Sequence, residues 1–367
     1  MAASTENQVK KSSVYYNADD AGVLAMEIPG SVVLPMVLKA AIELDLLEII
    51  ARAGPDAQLS SSVIASQLQT QNPDAPEMID RIMRLLASYS FLTCSLLTHH
   101  DGCVERLYGL APVSTFFLAN HDAPMAGFLK MLNHKVFLQS WHHLKDAVLE
   151  GGTPFDKANG VSVYEYAATD PSFNESFNTA ILRGTIKTMR EILEKYKGFD
   201  NAKVVVDVGG GIGAALELIT SKNPNIKGIN FDLPHVIQNA PTYPGVQHVG
   251  GDMFVNVPTG DVIFLKAVLH NWGDDHCLKL LKICYEALPK DGKVVVIERV
   301  LPVAPETTVD AKAMFRLDLF MLAQHPGGKE RTEREFEILA KGAGFIGLKL
   351  VCCAFNQWVM ELYKNHL

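Results

Sequence analysis

Apolar residues recur every three to four positions from Ala21 to about Tyr196, the period of helices that bury one face. In "SVVLPMVLKAAIELDLLEIIARAG", Val33, Met36, Ala40, Leu44 and Leu47 share one stripe, and Gly54 with Pro55 supplies the stop. The pattern predicts a single helix there, apolar around much of its circumference and suited to burial against a partner subunit. "LSSSVIASQL" and "APEMIDRIMRLLASYSFLT" predict two shorter helices, and "CSLLTHHDGCVERLYGLA" predicts two strands turning at Asp101-Gly102. Three helices and a hairpin describe a winged helix.

After "EKYKGFDNAK" the pattern changes. Short apolar runs ("VVVDVGGG", "IKGINFDLP", "GVQHVGGDMF", "DVIFLKAVL", "GKVVVIERV") alternate with helical stretches. Such runs are strands buried on both faces, and helices between them predict an α/β domain with a parallel, doubly wound sheet. "GLKLVCCAFNQWVMELYK" is expected to close the sheet as a hairpin around Phe355-Asn356-Gln357. The expected organisation is a disordered tail over 1–20, a mostly helical region over 21–195 and the α/β domain over 196–367.

Charge changes the meaning of the winged helix. The chain carries a net charge of -8, and residues 1–115 hold 7 basic against 13 acidic residues. Nucleic acid needs a basic face, so DNA binding is disfavoured. No apolar run is long enough to cross a bilayer, and "MAASTENQVKKSS" lacks the apolar centre of a secretory signal. Six cysteines without a CxxC pair point to reduced thiols rather than a disulfide framework or structural zinc. A cytoplasmic protein is the expectation.

Candidate chemistry gathers where the strands end. "VVVDVGGGIGAALELI" leads a buried strand into Gly209, Gly210, Gly211 and Gly213, glycines that let the backbone approach a ligand closely. A dinucleotide site would carry GxGxxG; here the pattern is GGGxG, with Asp207 just before it. A carboxylate aimed at the loop repels a pyrophosphate but suits a ligand bearing an amino group and a sulfonium. Asp232, at the end of the next strand, stands where an acid binds ribose hydroxyls. Asp252 and Met253, one strand later, suit the amino group and face of a purine.

"AVLHNWGDDHC" poses a choice between a metal site, a base and a helix start. Asp261–Leu269 is expected as a strand, with the following helix capped by Asp274. Cys277, Leu281, Cys284 and Leu288 form an apolar stripe, so these cysteines read as core, and His276 reads as exposed. His270 differs because it stands at a strand's carboxyl end, facing the crevice of the glycine loop. Glu298 ends the next strand, where an unpaired charge is costly, and Glu330 follows "HPGGK" on a later loop within reach of the same place.

From about Ala21 to Leu362, "VDVGGGIG", "GINFDLPHVI", "HVGGDMF", "YEALPKDGKVVV" and "GGKERTEREF" closely resemble the plant caffeic acid O-methyltransferase family. That resemblance implies a homodimer with a helical N-terminal dimerisation region. It also implies a Rossmann-like domain binding S-adenosylmethionine and releasing S-adenosylhomocysteine. By the same resemblance, Gly209, Asp232, Asp252, Met253 and Lys266 contact the cofactor.

The chemistry fits the trio. A phenol titrating near ~10 is mostly protonated at neutral pH, whereas a histidine near ~6.5 can take its proton as the methyl group moves. Flanking carboxylates would orient the imidazole and stabilise the imidazolium. The resemblance gives the same roles: His270 as base, Glu298 and Glu330 beside it. With the crevice acids so assigned, a metal-independent enzyme is expected rather than one that acidifies the phenol with magnesium.

For the acceptor, the resemblance assigns "MLNHKVF", "VYEYAATDPSFNESFNTAILRG" and "FMLAQHPGG" to the pocket. Met131, Phe173, Phe177, Phe320 and Met321 supply thioethers and rings to clamp an aromatic acceptor. Four positions depart from the caffeic acid enzymes: Ala167 and Gly184 replace histidines, Phe137 a leucine and His325 an asparagine. Two small residues make room, so a flavonoid, coumarin, stilbene, phenylpropanoid or benzylisoquinoline phenol is expected. A nicotinamide-dependent oxidoreductase and a non-catalytic winged-helix binding protein are the competing classes. The GGGxG loop stands against the first, and His270, Glu298 and Glu330 stand against the second.

Overall fold

The computed structural model describes residues 18–118, 125–238 and 240–365. Most of the polar opening lies outside them, but the helix Ala18–Glu27 begins inside the expected tail. The chain forms two compact units: Ala18–Gln139 with Tyr164–Lys187, and Ser140–Val163 with Thr188–Leu367. The boundary expected near 195 is thereby displaced. The helix Pro171–Lys195 crosses the division at 187/188 without a break, and Met189, Ile192 and Leu193 near its end belong to the core of the sheet unit. An uninterrupted helical period hides such a change of partner.

In the first unit, the single helix expected from Val33 onward is two, Val33–Glu43 and Leu46–Ala53. The break falls at Asp45, whose φ of 56° is left-handed, a conformation short polar side chains tolerate. The change of axis alters which residues are covered. Leu38, Ala41, Leu46, Leu47, Ile49 and Ile50 are buried, whereas Val33, Met36 and Leu44 of the expected stripe remain 49%, 38% and 43% exposed. Strands β1 (Leu59–Ser60), β2 (Leu92–Thr98) and β3 (Val104–Leu110) pair antiparallel in the order β1-β3-β2. The expected hairpin turns through Gly102, so the wing is present.

The second unit is built on β4 (Val204–Val208), β5 (Lys227–Asp232), β6 (Val246–Gly250), β7 (Val262–Lys266) and β8 (Lys293–Glu298). Further along come β9 (Val300–Leu301), β10 (Arg331–Thr332), β11 (Gly347–Ala354) and β12 (Gln357–Tyr363). Among the described residues, seven strands form one sheet in the order β11-β12-β8-β7-β4-β5-β6. β4 to β8 pair parallel, and β12 joins β8 antiparallel.

Alternate residues enter separate cores, as strands covered on both faces require. Val206, Val208, Ile263, Leu265, Val294 and Val296 lie in one, and Val205, Val262, Phe264, Val295 and Ile297 in the other. The closing hairpin turns on Phe355 and Asn356, both at positive φ, and Gln357 already belongs to β12. Strand order reverses between β4 and β7. A crevice at their carboxyl ends is where such sheets bind ligands.

Candidate active site

The glycine loop leaves β4 and enters the helix Ala214–Lys222. Gly209, Gly211 and Gly213 have φ of 70°, 59° and 88°, the left-handed region where glycine is unstrained. At Gly209 a Cβ would come within 3.0 Å of Val268 Cγ2, and at Gly210 one would strike Asn230 Oδ1 and Asp207. Gly211 donates its N–H to Asp232 Oδ2 at 2.8 Å. Asp232 closes β5, and Asp252 and Met253 follow β6, so three strand ends bring these groups to one edge of the sheet.

Asp207 is aimed at the loop, as expected, but from a buried position. It is 2% exposed and lies beneath Gly210 rather than lining the loop. Burial pushes its carboxyl up to about 7, opposed by Lys266 and assisted by Asp232. Lys266, the last residue of β7, is brought down to about 8 by burial, with Arg299 adding to the shift and Glu298 and Asp207 opposing it.

β7 ends three residues before the expected Leu269. Ala267 turns the chain at φ 53°, and Leu269–Asn271 forms a 3₁₀ turn that holds His270. Glu298, at the end of β8, explains the turn: its Oε1 accepts the backbone N–H groups of Val268, Leu269 and His270 at 2.9, 2.8 and 3.4 Å. The carboxylate satisfies donors that a continuing strand would have paired. Its other oxygen, Oε2, lies 3.7 Å from His270 Nδ1 and is buried without a hydrogen-bond partner among the described residues.

Glu330 Oε1 is 3.1 Å from the same Nδ1. It arrives through the pairing of β9 with β10, which sets Arg331 opposite Val300 and so brings Glu330 beside Arg299, whose Nη1 is 3.3 Å from Oε1. Burial alone would depress the His270 imidazole, but Glu298 and Glu330 outweigh it and raise its pKa. Burial alone would raise Glu330, but His270 and Arg299 hold it below the usual carboxylate range. Burial raises Glu298, with His270 opposing. Both carboxylates engage Nδ1, so neither occupies Nε2. The ligand atoms of the three side chains lie within 4.8 Å of one another, so the trio could also hold a metal ion.

Sequence reasoning missed Arg331, which is fully buried. Its Nη1 and Nη2 donate to the Leu269 and Trp272 carbonyls at 2.9 and 2.8 Å, clamping the Glu330 loop onto the His270 turn. It also bonds Asp274 Oδ1. The expected role of Asp274 as a cap is therefore corrected: Gly273 is the N-cap, and Asp274 anchors arginine from the first helical turn. Gly328 was likewise overlooked. A Cβ there would sit 3.2 Å from the His270 carbonyl, so "HPGGK" is shaped for close packing on the turn. Cys277, Leu281, Cys284 and Leu288 are buried and His276 is exposed, as expected.

The candidate acceptor residues divide between the units. In the first, Met131, Phe137 and Phe173 are buried and Phe177 is half-buried. The Phe173 ring packs edge-on against Phe137 at 5.3 Å and stacks on Phe177 at 5.8 Å. Phe173 and Phe177 are one turn apart on the same helix as Gly184, where a Cβ would meet nothing within 4 Å. Ala167 lies on the preceding helix, Val163–Thr169. In the second unit, Phe320, Met321 and His325 are each 8% exposed. Burial, with His270 assisting, lowers His325 to about 4, so its ring is neutral at physiological pH.

Known proteins match this architecture along its whole length. The O-methyltransferase domain family matches residues 141–346, and the O-methyltransferase dimerisation domain matches residues 26–120. Caffeic acid 3-O-methyltransferase of Eucalyptus gunnii is 57% identical over 363 residues, covering 99% of each chain. O-methyltransferase 13 of Lophophora williamsii is 59% identical over 348 residues, covering 95% of this chain and 96% of its own. Human N-acetylserotonin methyltransferase in complex with SAM superposes with a TM-score of 0.78 at 22% identity, over 96% of this chain and 100% of its own.

Proposed function

Because the chain belongs to the plant caffeic acid O-methyltransferase-like family and is an S-adenosylmethionine-dependent O-methyltransferase, we propose that it methylates a phenolic, catechol-type hydroxyl with His270 as general base. One observation carries this reading: two buried carboxylates engage Nδ1 of a nearly buried imidazole and leave Nε2 free of them. The carboxylates fix the ring, favour the tautomer protonated on Nδ1, and stabilise the imidazolium formed when Nε2 takes the phenolic proton. They also raise the basicity of His270 toward that of a phenol, which strengthens proton abstraction.

The donor site fits its group. Close-packed glycines expose backbone at the β4 turn, while Asp232 and Asp252 offer carboxylates at neighbouring strand ends. Gly209, Asp232, Asp252, Met253 and Lys266 would hold S-adenosylmethionine, and Asp207 would act from beneath the loop. When bound, that group supplies a methyl carbon on a positively charged sulfur.

A metal-assisted variant is the alternative use of the trio. Against it, the Arg299 guanidinium reaches Glu330 and Lys266 interacts with Glu298, so resident cations already oppose an added one. EDTA should leave the rate unchanged, and inhibition by it would reject this reading.

Met131, Phe137, Phe173, Phe177, Phe320, Met321 and His325 are assigned to the acceptor. The open space at Gly184, together with small Ala167, supports an acceptor bulkier or less polar than a phenylpropanoid acid. Flavonoid, coumarin, stilbene and benzylisoquinoline phenols are the classes to test. The exposed Val33, Met36 and Leu44 support dimerisation through the N-terminal helices. The deciding experiment supplies labelled S-adenosylmethionine with a panel of catechol-bearing acceptors and locates the new methoxy group. No transfer to any member would reject the proposal.

A further inference from the structure

The loop assigned above to the donor is held by more than its glycines. The Gly209 N–H donates to the Phe231 carbonyl at 2.9 Å, and the Gly211 carbonyl accepts from Asn230 Nδ2 at 2.8 Å. Asn230 is fully buried, and its Nδ2 also lies 3.0 Å from His248 Nδ1. On the far side of that ring, Nε2 is 2.8 Å from the Pro241 carbonyl. These partners fix the chemistry of each group. Asn230 Nδ2 must donate both hydrogens, so His248 presents a bare Nδ1 and carries its proton on Nε2, where it donates to Pro241.

The amide oxygen of Asn230 is turned toward Gly210. Asn230 Oδ1 and Asp207 Oδ2 both lie within 2.7 Å of the point where a Gly210 side chain would begin, and each is buried without a hydrogen-bond partner among the described residues. Asp207 and Asn230 are opposite one another on β4 and β5, and Asn230 and His248 on β5 and β6. Three adjacent strands thus present one polar line under the loop.

We propose that Asn230 and His248 are positioning residues for the donor site: they brace the Gly211 carbonyl and hold the loop in the conformation that receives the donor. Three glycines at positive φ leave the unbraced loop many alternatives. Fixing it beforehand removes an ordering cost that binding would otherwise meet. The brace touches neither His270 nor the acceptor residues. Its loss is felt in donor affinity alone.

The inference rests on the reading of this loop as the donor site, and variants at His248, which is only half-buried, separate the two. Asn in place of His248 keeps an acceptor near the Nδ1 position, Gln keeps a donor near Nε2, and Leu keeps neither. S-adenosylhomocysteine affinity is measured by calorimetry, with the Michaelis constants of both substrates, kcat and the melting temperature. H248L and H248Q should weaken S-adenosylhomocysteine binding by roughly three- to tenfold, the worth of one hydrogen bond. H248N should stay within about twofold of the parent, and all three should keep kcat and the acceptor KM within about twofold. N230D, which replaces both N–H donors with acceptors at constant shape, should lose at least as much donor affinity as H248L. Parent-like donor affinity in H248L, or equal losses in H248N and H248L, would overturn the brace. Failure of the parent protein to bind S-adenosylhomocysteine would overturn the donor-site reading itself.

Discussion

The His270 turn and the phenylalanine cluster of the helical unit solve opposite problems. Around His270 the contacts are directional hydrogen bonds and ion pairs: Glu298 takes three backbone N–H groups, Glu330 takes Nδ1 and Arg299, and Arg331 binds two carbonyls. Around Phe173 the contacts are rings against rings, with unfilled space at Gly184 on the same helix. The first arrangement is a directional network in which each member fixes another. The second is apolar and adaptable, a surface that side-chain volume can reshape. Chemistry is therefore expected to be fragile at the turn and selectivity tunable at the cluster.

Removing the proposed base tests the rigid side most severely. His270→Gln should lower kcat by about 10²- to 10⁴-fold while S-adenosylhomocysteine affinity holds. A rate near the parent's would end the general-base assignment. Glu330→Gln should cost less, roughly 10- to 10²-fold, because Glu298 still orients the ring. Its pH profile is the sharper reading. The carboxylates raise His270 above 6.5, and the base works only when unprotonated, so parent activity falls as pH drops through that raised value. With one carboxylate neutralised the acid limb of kcat/KM should move to lower pH; a limb that stays in place would separate Glu330 from the titration.

On the helical side, charge placed on the exposed stripe probes assembly. Val33→Asp with Met36→Asp should raise the dimer dissociation constant by roughly thirtyfold or more, since each apolar side chain buried at an interface contributes about 1.5–3 kcal/mol. Sedimentation velocity reads this directly, and an unchanged dimer would move the interface elsewhere. The smallest effect is expected at the cluster. Histidines at Ala167 and Gly184 should shift the kcat/KM ratio toward caffeic-type acids by about tenfold, the scale of one or two pocket contacts. An unaltered ratio would show that neither position touches the acceptor.

Much of the site was legible because strand ends announce themselves. An apolar run followed by glycine or by a lone acid is a local pattern, and it marked the loop at Gly209, Asp232, Asp252 and Glu298 without any knowledge of pairing. Arg331 carried no comparable signal. A buried arginine is stable only where distant carbonyls receive it, and its partners at Leu269 and Trp272 are about sixty residues earlier. The break at Asp45 was missed for a related reason. Hydrophobic period continues across it, while the left-handed turn depends on one backbone angle.

By itself the sequence determined the alternation of strands and helices, the winged hairpin and the glycine turn, because each depends on neighbours in the chain, and it marked His270, Glu298 and Glu330 as candidates. Only the tertiary structure decided that β7 stops at Lys266, that Asp207 lies buried under the loop, that Asp274 serves Arg331 rather than its own helix, and that Asn230, backed by His248, reaches the Gly211 carbonyl. Those outcomes depend on which buried donor meets which acceptor across the sheet, and a hydrogen bond between remote residues leaves no period in the chain.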